Sequence, residues 1–328
     1  MNKKIKILIT SAGSTHGINV IKALRGQKEL GVFLIAADMN DPSAAFYLAD
    51  RYYTVPPAAD LGFVDFILKL CKKEKIKIII PTYSAELPIF AKNKKLFQER
   101  GILMAIPGIE TLLICENKIT ANEEFLKLGV PIPKVYSEIE IVSGKIEFPA
   151  IVKPVQGSGS KGVVKVNDKK DLDFFRNYVK NSFVQEFAAG QEYGIDGICD
   201  LEGRLIGVSP RIRNEVRGGL AVKSATVKDG RLEEYAKKIA EGLKIIGPFN
   251  IQCFKDGDKI KFIEINCRFP SGGLPLTVKA GLNMPLIAVK LLLGMAIGKP
   301  KIKEGLVMAR YWDAVILKKD NNGKLKPI

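Results

Sequence analysis

The sequence predicts a parallel α/β sheet followed by an α+β region built on antiparallel hairpins. Two observations predict it. Over about the first 110 residues, short apolar runs alternate with helical patterns, the signature of strands joined by crossover helices. From Tyr193 onward, strand-like segments follow one another as hairpins instead.

The elements read in order. Residues 4–10 (Lys-Ile-Lys-Ile-Leu-Ile-Thr) form a buried strand, and Ser11-Ala-Gly-Ser-Thr-His-Gly17 is a turn of small residues. A helix follows over 18–24, a strand over 32–38, a helix near 60–74, a strand over 76–81 and a helix over about 84–100. Residues 114–128 have helical periodicity, which Gly129 and Pro131 end. Strand patterns at 148–154 and 162–166 flank a glycine-rich turn, and a helix at 171–178 and a strand at 183–187 follow. Hairpins pair 194–199 with 204–210 and 250–254 with 260–266, with a helix over 232–243 between them. A helix over 286–295 ends near Gly298-Lys-Pro300, and the last strand is about 305–317. There is no internal repeat and no low-complexity tail.

Size and composition narrow the function classes. A chain of 328 residues suggests two or three domains. Residues 286–297 are the nearest approach to a membrane span, and Lys290 interrupts them. The start of the chain runs into a strand pattern without a signal-peptide cleavage region, so a cytoplasmic protein is expected. Five scattered cysteines without a CxxC pair predict reduced, mostly buried thiols. With His16 the only histidine, a Ser-His-Asp triad or a multi-histidine metal site is hard to build. The net charge of +16 comes mostly from lysine spread along the chain. No interleaved aromatic and arginine pattern, zinc finger or RNA-recognition signature accompanies it. The expected partner is an anionic small molecule, with no nucleic acid and no membrane.

The most informative stretch is Phe262-Ile-Glu-Ile-Asn-Cys-Arg-Phe-Pro-Ser-Gly-Gly273. On a strand, Glu264, Asn266 and Arg268 point to one face, and Ile263, Ile265 and Cys267 to the other. Two hard oxygen donors beside a guanidinium suit Mg²⁺ and a phosphate chain. The same pattern also fits a half-buried strand with a solvated outer face.

Two glycine-rich loops can cradle anions. Gly13-Ser-Thr-His-Gly17, between a strand and a helix, with Asp38 ending the next strand, loosely matches a nicotinamide dinucleotide site and equally a structural tight turn. Lys153-Pro-Val-Gln-Gly-Ser-Gly-Ser-Lys-Gly162 lies between two strands, so it is a hairpin tip and not a Walker loop. Its backbone amides can close over phosphates that Lys153 neutralises, or it is simply a flexible tip. Arg211, Arg213 and Arg217 can grip a carboxylate bidentately, or they belong to an exposed basic loop.

The order of Glu116-Asn-Lys118, Ile151-Val-Lys-Pro154 with its glycine loop, Val184-Gln-Glu-Phe187 with Gly190-Gln-Glu192, Asn250-Ile-Gln252 and Glu264-Ile-Asn-Cys-Arg268 resembles the ATP-grasp superfamily. It is most similar to a single ATP-grasp unit of the carbamoyl-phosphate synthetase large subunit, over about residues 5–305. The resemblance implies an α/β pre-ATP-grasp domain (1–112), a small lobe with a glycine-rich lid (113–190) and a large lobe with the metal site and a C-terminal strand (191–328). It also implies ATP clamped between the two lobes and an acyl phosphate attacked by an amine or similar nucleophile.

Carried over residue by residue, the resemblance gives Lys118 and Lys153 the nucleotide phosphates. Gly157, Ser158, Gly159, Ser160 and Gly162 form the lid. The backbone of Gln185, Glu186 and Phe187 meets the adenine edge, and Glu192 the ribose hydroxyls. Gln252, Glu264 and Asn266 take Mg²⁺ or Mn²⁺, and Arg268 takes the transferred phosphoryl group. The chain departs from the carbamoyl-phosphate pattern at Arg217-Gly-Gly-Leu-Ala-Val-Lys223, where that family has an acidic, His-containing segment, so bicarbonate is not the expected substrate. Proteins of this build often dimerise, which makes a homodimer an expected assembly.

These readings imply a carboxylate–amine ligase that releases ADP and phosphate. The alternatives are an ATP-binding half-enzyme or nucleotide sensor needing a partner chain, and a dehydrogenase using the front domain. The sequence also contains a geometric test. For Gln252 and Glu264 to share a face, paired residue numbers must sum to an even value. A three-residue loop at 256–258 satisfies this, and a two-residue Asp256-Gly257 turn does not, so the function predicts the three-residue loop.

Overall fold

The computed structural model describes residues 4–320 and 325–327. The front of the chain alternates β1 (Ile5–Thr10), α1 (Thr15–Arg25), β2 (Val32–Asp38), α2 (Ala44–Leu48), β3 (Arg51–Thr54), α3 (Phe63–Glu74) and β4 (Ile78–Pro81). The strands form a parallel sheet in the order β3-β2-β1-β4. Central β1 is apolar on both faces because both are covered. Leu8 packs in a core with Phe63, Ile67 and Phe90, whereas Ile7 and Ile9 face Val20, Leu24 and Val289. The predicted alternation is present, with α2 and β3 as additional elements.

Two expected helices are broken, each at an asparagine. The helix expected over 84–100 is a 3-10 turn (Ser84–Glu86), α4 (Leu87–Lys92) and α5 (Lys94–Gln98). Pro88 is tolerated in the first turn of α4, and Asn93 ends it by donating Nδ2 to Ile89 O at 2.9 Å. The helix expected over 114–128 is α6 (Ile109–Glu116) and α7 (Lys118–Lys127). Asn117 caps α7 by accepting from Ile119 N at 2.9 Å and Thr120 N at 3.3 Å.

A small lobe follows: α8 (Glu138–Val142), β5 (Ala150–Pro154), β6 (Val164–Val166), α9 (Lys169–Tyr178) and β7 (Ser182–Glu186). Its antiparallel sheet, β6-β5-β7, has a core of its own around Tyr136, Val152, Leu172 and Val184. The large lobe contains β8 (Gln191–Cys199), β9 (Leu205–Arg217), β10 (Leu220–Thr226), α10 (Gly230–Gly242), β11 (Gly247–Asp256), β12 (Lys259–Asn266), α11 (Leu274–Lys279), α12 (Met284–Leu292) and β13 (Val307–Ala309). These strands form one sheet in the order β12-β11-β8-β9-β10-β13. Both predicted hairpins are present.

The last strand is shorter than the expected 305–317. The strand ends at Ala309; one further backbone bond runs from Arg310 N to Val222 O at 2.9 Å, and the Arg310 side chain turns back to Ser271 O at 3.2 Å. Beyond it, β14 (Leu317–Lys319) pairs with β15 (Leu325–Pro327).

The front sheet and the large lobe share one apolar core that includes Leu8, Phe97, Phe125, Phe249 and Phe262. Helices α6 and α7 send Leu112, Ala121 and Phe125 into this core and not into that of the small lobe. The Phe125 and Phe262 rings meet edge to face at 6.5 Å. The small lobe therefore has its own apolar core, separate from the one that the front sheet and the large lobe share.

Candidate active site

The β11–β12 hairpin builds the floor of the site. Its turn is the two-residue Gly257-Asp258 form, because Asp256 pairs with Lys259, so the expected three-residue loop is not what the chain uses. From the turn to Cys253–Phe262, each pair sums to an odd number, the register that would separate Gln252 from Glu264. A β-bulge then inserts one extra residue, Ile263, and Gln252 pairs directly with Glu264, followed by Ile251 with Ile265 and Asn250 with Asn266. The required shared face is achieved by the bulge. It also corrects the expected facing of Ile263. Ile265 and Cys267 are buried in the core, but Ile263 and Glu264 both line the same cavity.

That cavity, about 210 Å³, lies between the lobes. Its apolar wall includes Ile151, Val163, Phe187, Phe254 and Ile263, and its polar groups include Lys118, Lys153, Gln185, Glu192, Gln252 and Glu264. The glycine loop borders it through Gly157, Ser158, Ser160 and Lys161. Flat apolar walls with a cationic and carboxylate end suit a nucleotide. A second cavity of about 260 Å³ shares Lys118, Gly157, Ser158 and Glu264 and adds Ser84, Glu116 and Asn266.

Lys153 is 5% exposed, with its Nζ 5.1 Å from the Phe183 ring centre. Burial pulls its pKa down to about 8; Glu264 opposes the fall and Lys118 adds to it. Lys118 is also buried and donates Nζ to Gly157 O at 2.9 Å, holding the base of the lid. The glycine loop takes left-handed backbone at Gly159 (φ 69°), Ser160 (φ 58°) and Gly162 (φ 74°). Its tip rests on the β9–β10 turn, where a Cβ on Gly219 would come within 2.8 Å of Gly159 Cα.

At the strand end carrying Gln185–Phe187, Glu186 is already committed: its N–H donates to Lys134 O, and its carboxylate pairs with Lys261. The Gln185 side chain donates to Pro133 O, and Phe187 lies beyond the strand ladder. Burial pushes the Glu192 carboxyl upward against the pull of Arg213 and Arg211.

The metal candidates are adjacent but not yet arranged as ligands. Asn266 donates Nδ2 to Glu264 Oε1 at 3.2 Å, and its oxygen accepts from Arg268 Nη2 at 3.1 Å. Arg268 also donates to Ser84 Oγ and Phe269 O, both at 3.1 Å, and reaches the second cavity through Asn266 and Ser84. Among the described residues no group of three or more His, Cys, Asp and Glu is placed to hold a metal. One carboxylate with two amides fits a hard cation that shares phosphate oxygens with its nucleotide.

The three arginines separate. Arg211 is buried in a bidentate pair with Asp196, at 2.9 and 3.1 Å, and Asn250 and Thr277 also donate to Asp196. Arg213 pairs with Glu192 and donates Nη2 to Gly219 O at 2.7 Å. Arg217 is exposed and pairs with Glu215. Asp38 in the front loop accepts from Gly13 N at 2.7 Å and so closes that turn internally. The sequence reading missed the bulged Ile263, which no local pattern marks; Ser84 lies in the front-domain loop 82–86, a candidate for contact with the substrates. All five cysteines are buried and free.

Comparisons with known proteins follow this geometry. Residues 179–313 match the family model described as ATP-grasp in the biosynthetic pathway with Ter operon, and residues 7–105 match the PylC-like N-terminal domain. The carbamoyl phosphate synthase large chain of Clostridium botulinum is 26% identical over 331 residues, covering 90% of this chain and 30% of the relative. This chain thus spans about 30% of the length of that curated relative. Among solved structures, a biotin carboxylase β,γ-ATP complex from Campylobacter jejuni aligns with TM-score 0.74 at 18% identity, covering 92% of this chain and 74% of the other. An L-amino acid ligase from Bacillus licheniformis aligns with TM-score 0.67 at 17% identity, covering 92% and 75%.

Proposed function

We propose that this chain, an ATP-grasp protein by fold and by family match, is an ATP-dependent ligase that joins a carboxylate to an amine through an acyl phosphate. The observation that carries the reading is the convergence of Lys118, Lys153, the glycine lid, Glu192, Gln252 and Glu264 on one cavity between two lobes. In this reading the base lies against Ile151, Phe187 and Ile263, and Glu192 receives the ribose hydroxyls. Lys118 and Lys153 neutralise the phosphates, and the lid excludes water. Gln252, Glu264 and Asn266 would hold Mg²⁺ or Mn²⁺, which would supply charge neutralisation at the transferred phosphoryl group. Asn266 would offer its amide oxygen to that ion, and Arg268 its guanidinium to the transferred phosphoryl group.

The chemistry balances without an acid–base residue that carries protons far. The carboxylate oxygen attacks the γ-phosphorus, the bond to the β-phosphate oxygen breaks, and ADP leaves. The amine nitrogen then attacks the acyl carbon, phosphate departs with the C–O electron pair, and a phosphate oxygen takes up the proton that the nitrogen loses. Catalysis is positioning and electrostatics. The second cavity, beyond Glu264 and Asn266, is the place for the carboxylate. The five buried, unpaired thiols suit a reducing compartment such as the cytoplasm.

Hydroxylamine tests the intermediate directly. With Mg-ATP and a pool of carboxylic acids, it should trap the acyl phosphate as a hydroxamate. Glu264→Gln should reduce that product at least a hundredfold at an unchanged melting temperature; an undiminished yield would remove the metal site. One observation favours a second reading. Because the chain spans only 30% of its curated relative, it can be an ATP-binding half-enzyme that acts with a partner chain. Tight ATP binding with no turnover until another chain is added would favour it.

A further inference from the structure

Arg213 connects two parts of the nucleotide cavity that are distant in sequence. It projects from β9 opposite Glu192, since Tyr193 of β8 pairs with Ile212 in that ladder. Arg213 is 6% exposed. Its Nη1 pairs with the Glu192 carboxylate, which lines the cavity. Its Nη2 donates to Gly219 O at 2.7 Å, in the turn between β9 and β10. Nε is buried without an acceptor, so among the described residues the guanidinium is held through its two Nη atoms alone.

The turn is Gly218-Gly219, closed by the Arg217–Leu220 pair, with φ of 55° and 75°. Positive φ at both central residues is the type I′ form that a two-residue hairpin favours. The two glycines have different surroundings. A Cβ on Gly218 would meet nothing within 4 Å, whereas one on Gly219 would come within 2.8 Å of Gly159 Cα. Gly159 belongs to the glycine loop, and its neighbours Ser158 and Ser160 line the same cavity as Glu192. One guanidinium therefore holds both the carboxylate assigned to the ribose and the turn on which the loop rests. A buried ion pair is a weak stabiliser, because desolvation offsets its attraction. What it supplies that an apolar pair cannot is direction: the planar fork fixes two acceptors at one geometry.

We propose that Arg213 is a positioning residue that couples ribose recognition to the seating of the glycine loop. Through Nη1 it aims Glu192 into the cavity, and through Nη2 it pins the β9–β10 turn against Gly159. The inference rests on the nucleotide reading of this cavity and adds how two of its contacts are set together. Coupling between two contacts is reciprocal, so a nucleotide that engages Glu192 through its ribose should also hold the loop more firmly than one that cannot.

Limited trypsin cleavage after Lys161, an exposed residue of the loop, reads its seating on the full chain. The probes are Mg-ATP and Mg-2′,3′-dideoxy-ATP, each at saturation by calorimetry. In the parent protein ATP should slow this cleavage at least about fivefold more than dideoxy-ATP does. Arg213→Lys keeps the charge but not the fork, so it should erase that difference and speed cleavage of the free protein. Glu192→Gln leaves an acceptor for Nη1; it should erase the difference without changing cleavage of the free protein. Gly219→Ala should speed cleavage of the free protein severalfold. Gly218→Ala, under similar backbone strain but facing open space, should not. A merely structural ion pair would lower the melting temperature of Arg213→Lys and leave the difference between the two nucleotides intact. Equal slowing by both nucleotides in the parent, an undiminished difference in Arg213→Lys, or equal cleavage of the two glycine variants would overturn the inference. Calorimetry separates the two claims. A parent protein that does not bind ATP overturns the nucleotide reading itself, whereas ATP binding with any of those three results overturns this inference alone.

Discussion

Lys153 gives the sharpest link between burial and nucleotide affinity. Its ammonium is nearly inaccessible, and burial lowers its pKa from 10.5 to about 8. At 1.36 kcal/mol per pKa unit, the free protein disfavours the charged lysine by about 3 kcal/mol. A triphosphate restores the counter-charge, so the complex requires a protonated lysine. Affinity for ATP should then be flat below about pH 8 and fall toward tenfold per pH unit above it, with nearly one proton taken up on binding at pH 9. Folding stability should respond with the opposite sign. The unfolded lysine keeps its proton up to about 10.5, so between pH 8 and 10.5 the unfolded chain binds more protons, and this position gains stability as pH rises. Calorimetry of a non-hydrolysable ATP analogue in buffers of different ionisation enthalpy counts the proton. Lys153→Arg, which stays charged, should remove both the slope and the uptake. No proton uptake in the parent protein at pH 9, or the same slope in the arginine variant, would refute the reasoning.

Other perturbations act on single features. Glu192→Ala should weaken ATP binding and also cost about 2 kcal/mol in urea unfolding, because it strands the buried Arg213; Glu192→Gln should keep more of the stability than of the affinity. Arg211→Met should cost roughly 3–5 kcal/mol by leaving the fully buried Asp196 uncompensated, and adding Asp196→Asn should recover part of it. Ile263→Ala should weaken ATP roughly tenfold, the worth of about 1–2 kcal/mol of apolar contact, with little change in melting temperature.

Much of this molecule is legible in its sequence where a pattern is local. The alternation of apolar runs reveals the parallel front sheet, and β2 matches its expected span over 32–38. The turn chemistry at 255–259 is also local, and the simplest Asp-Gly-type reading of a two-residue turn is nearer the truth than the loop that function seemed to require. What no local pattern encodes is the bulge at Ile263, because it depends on how β12 fits β11 and the core around Phe262. Asn117 and Asn93 interrupt helices whose periodicity continues across them, since periodicity is blind to a side chain that engages a backbone donor, as Asn117 does, or a backbone acceptor, as Asn93 does. The arginine run at 211–217 shows the other limit. Its alternation is visible, but the partners that turn Arg211 and Arg213 inward, Asp196 and Glu192, lie on the neighbouring strand.

Phosphorus NMR of the protein with Mg-ATP, with and without a mixed pool of acids and amines, tests the central claim most directly. The account predicts ADP and inorganic phosphate that appear only with the pool, with the acyl phosphate as the species between them. AMP and pyrophosphate would instead mean that the carboxylate is adenylated, and would contradict the assignment of the phosphoryl-transfer site to Glu264, Asn266 and Arg268.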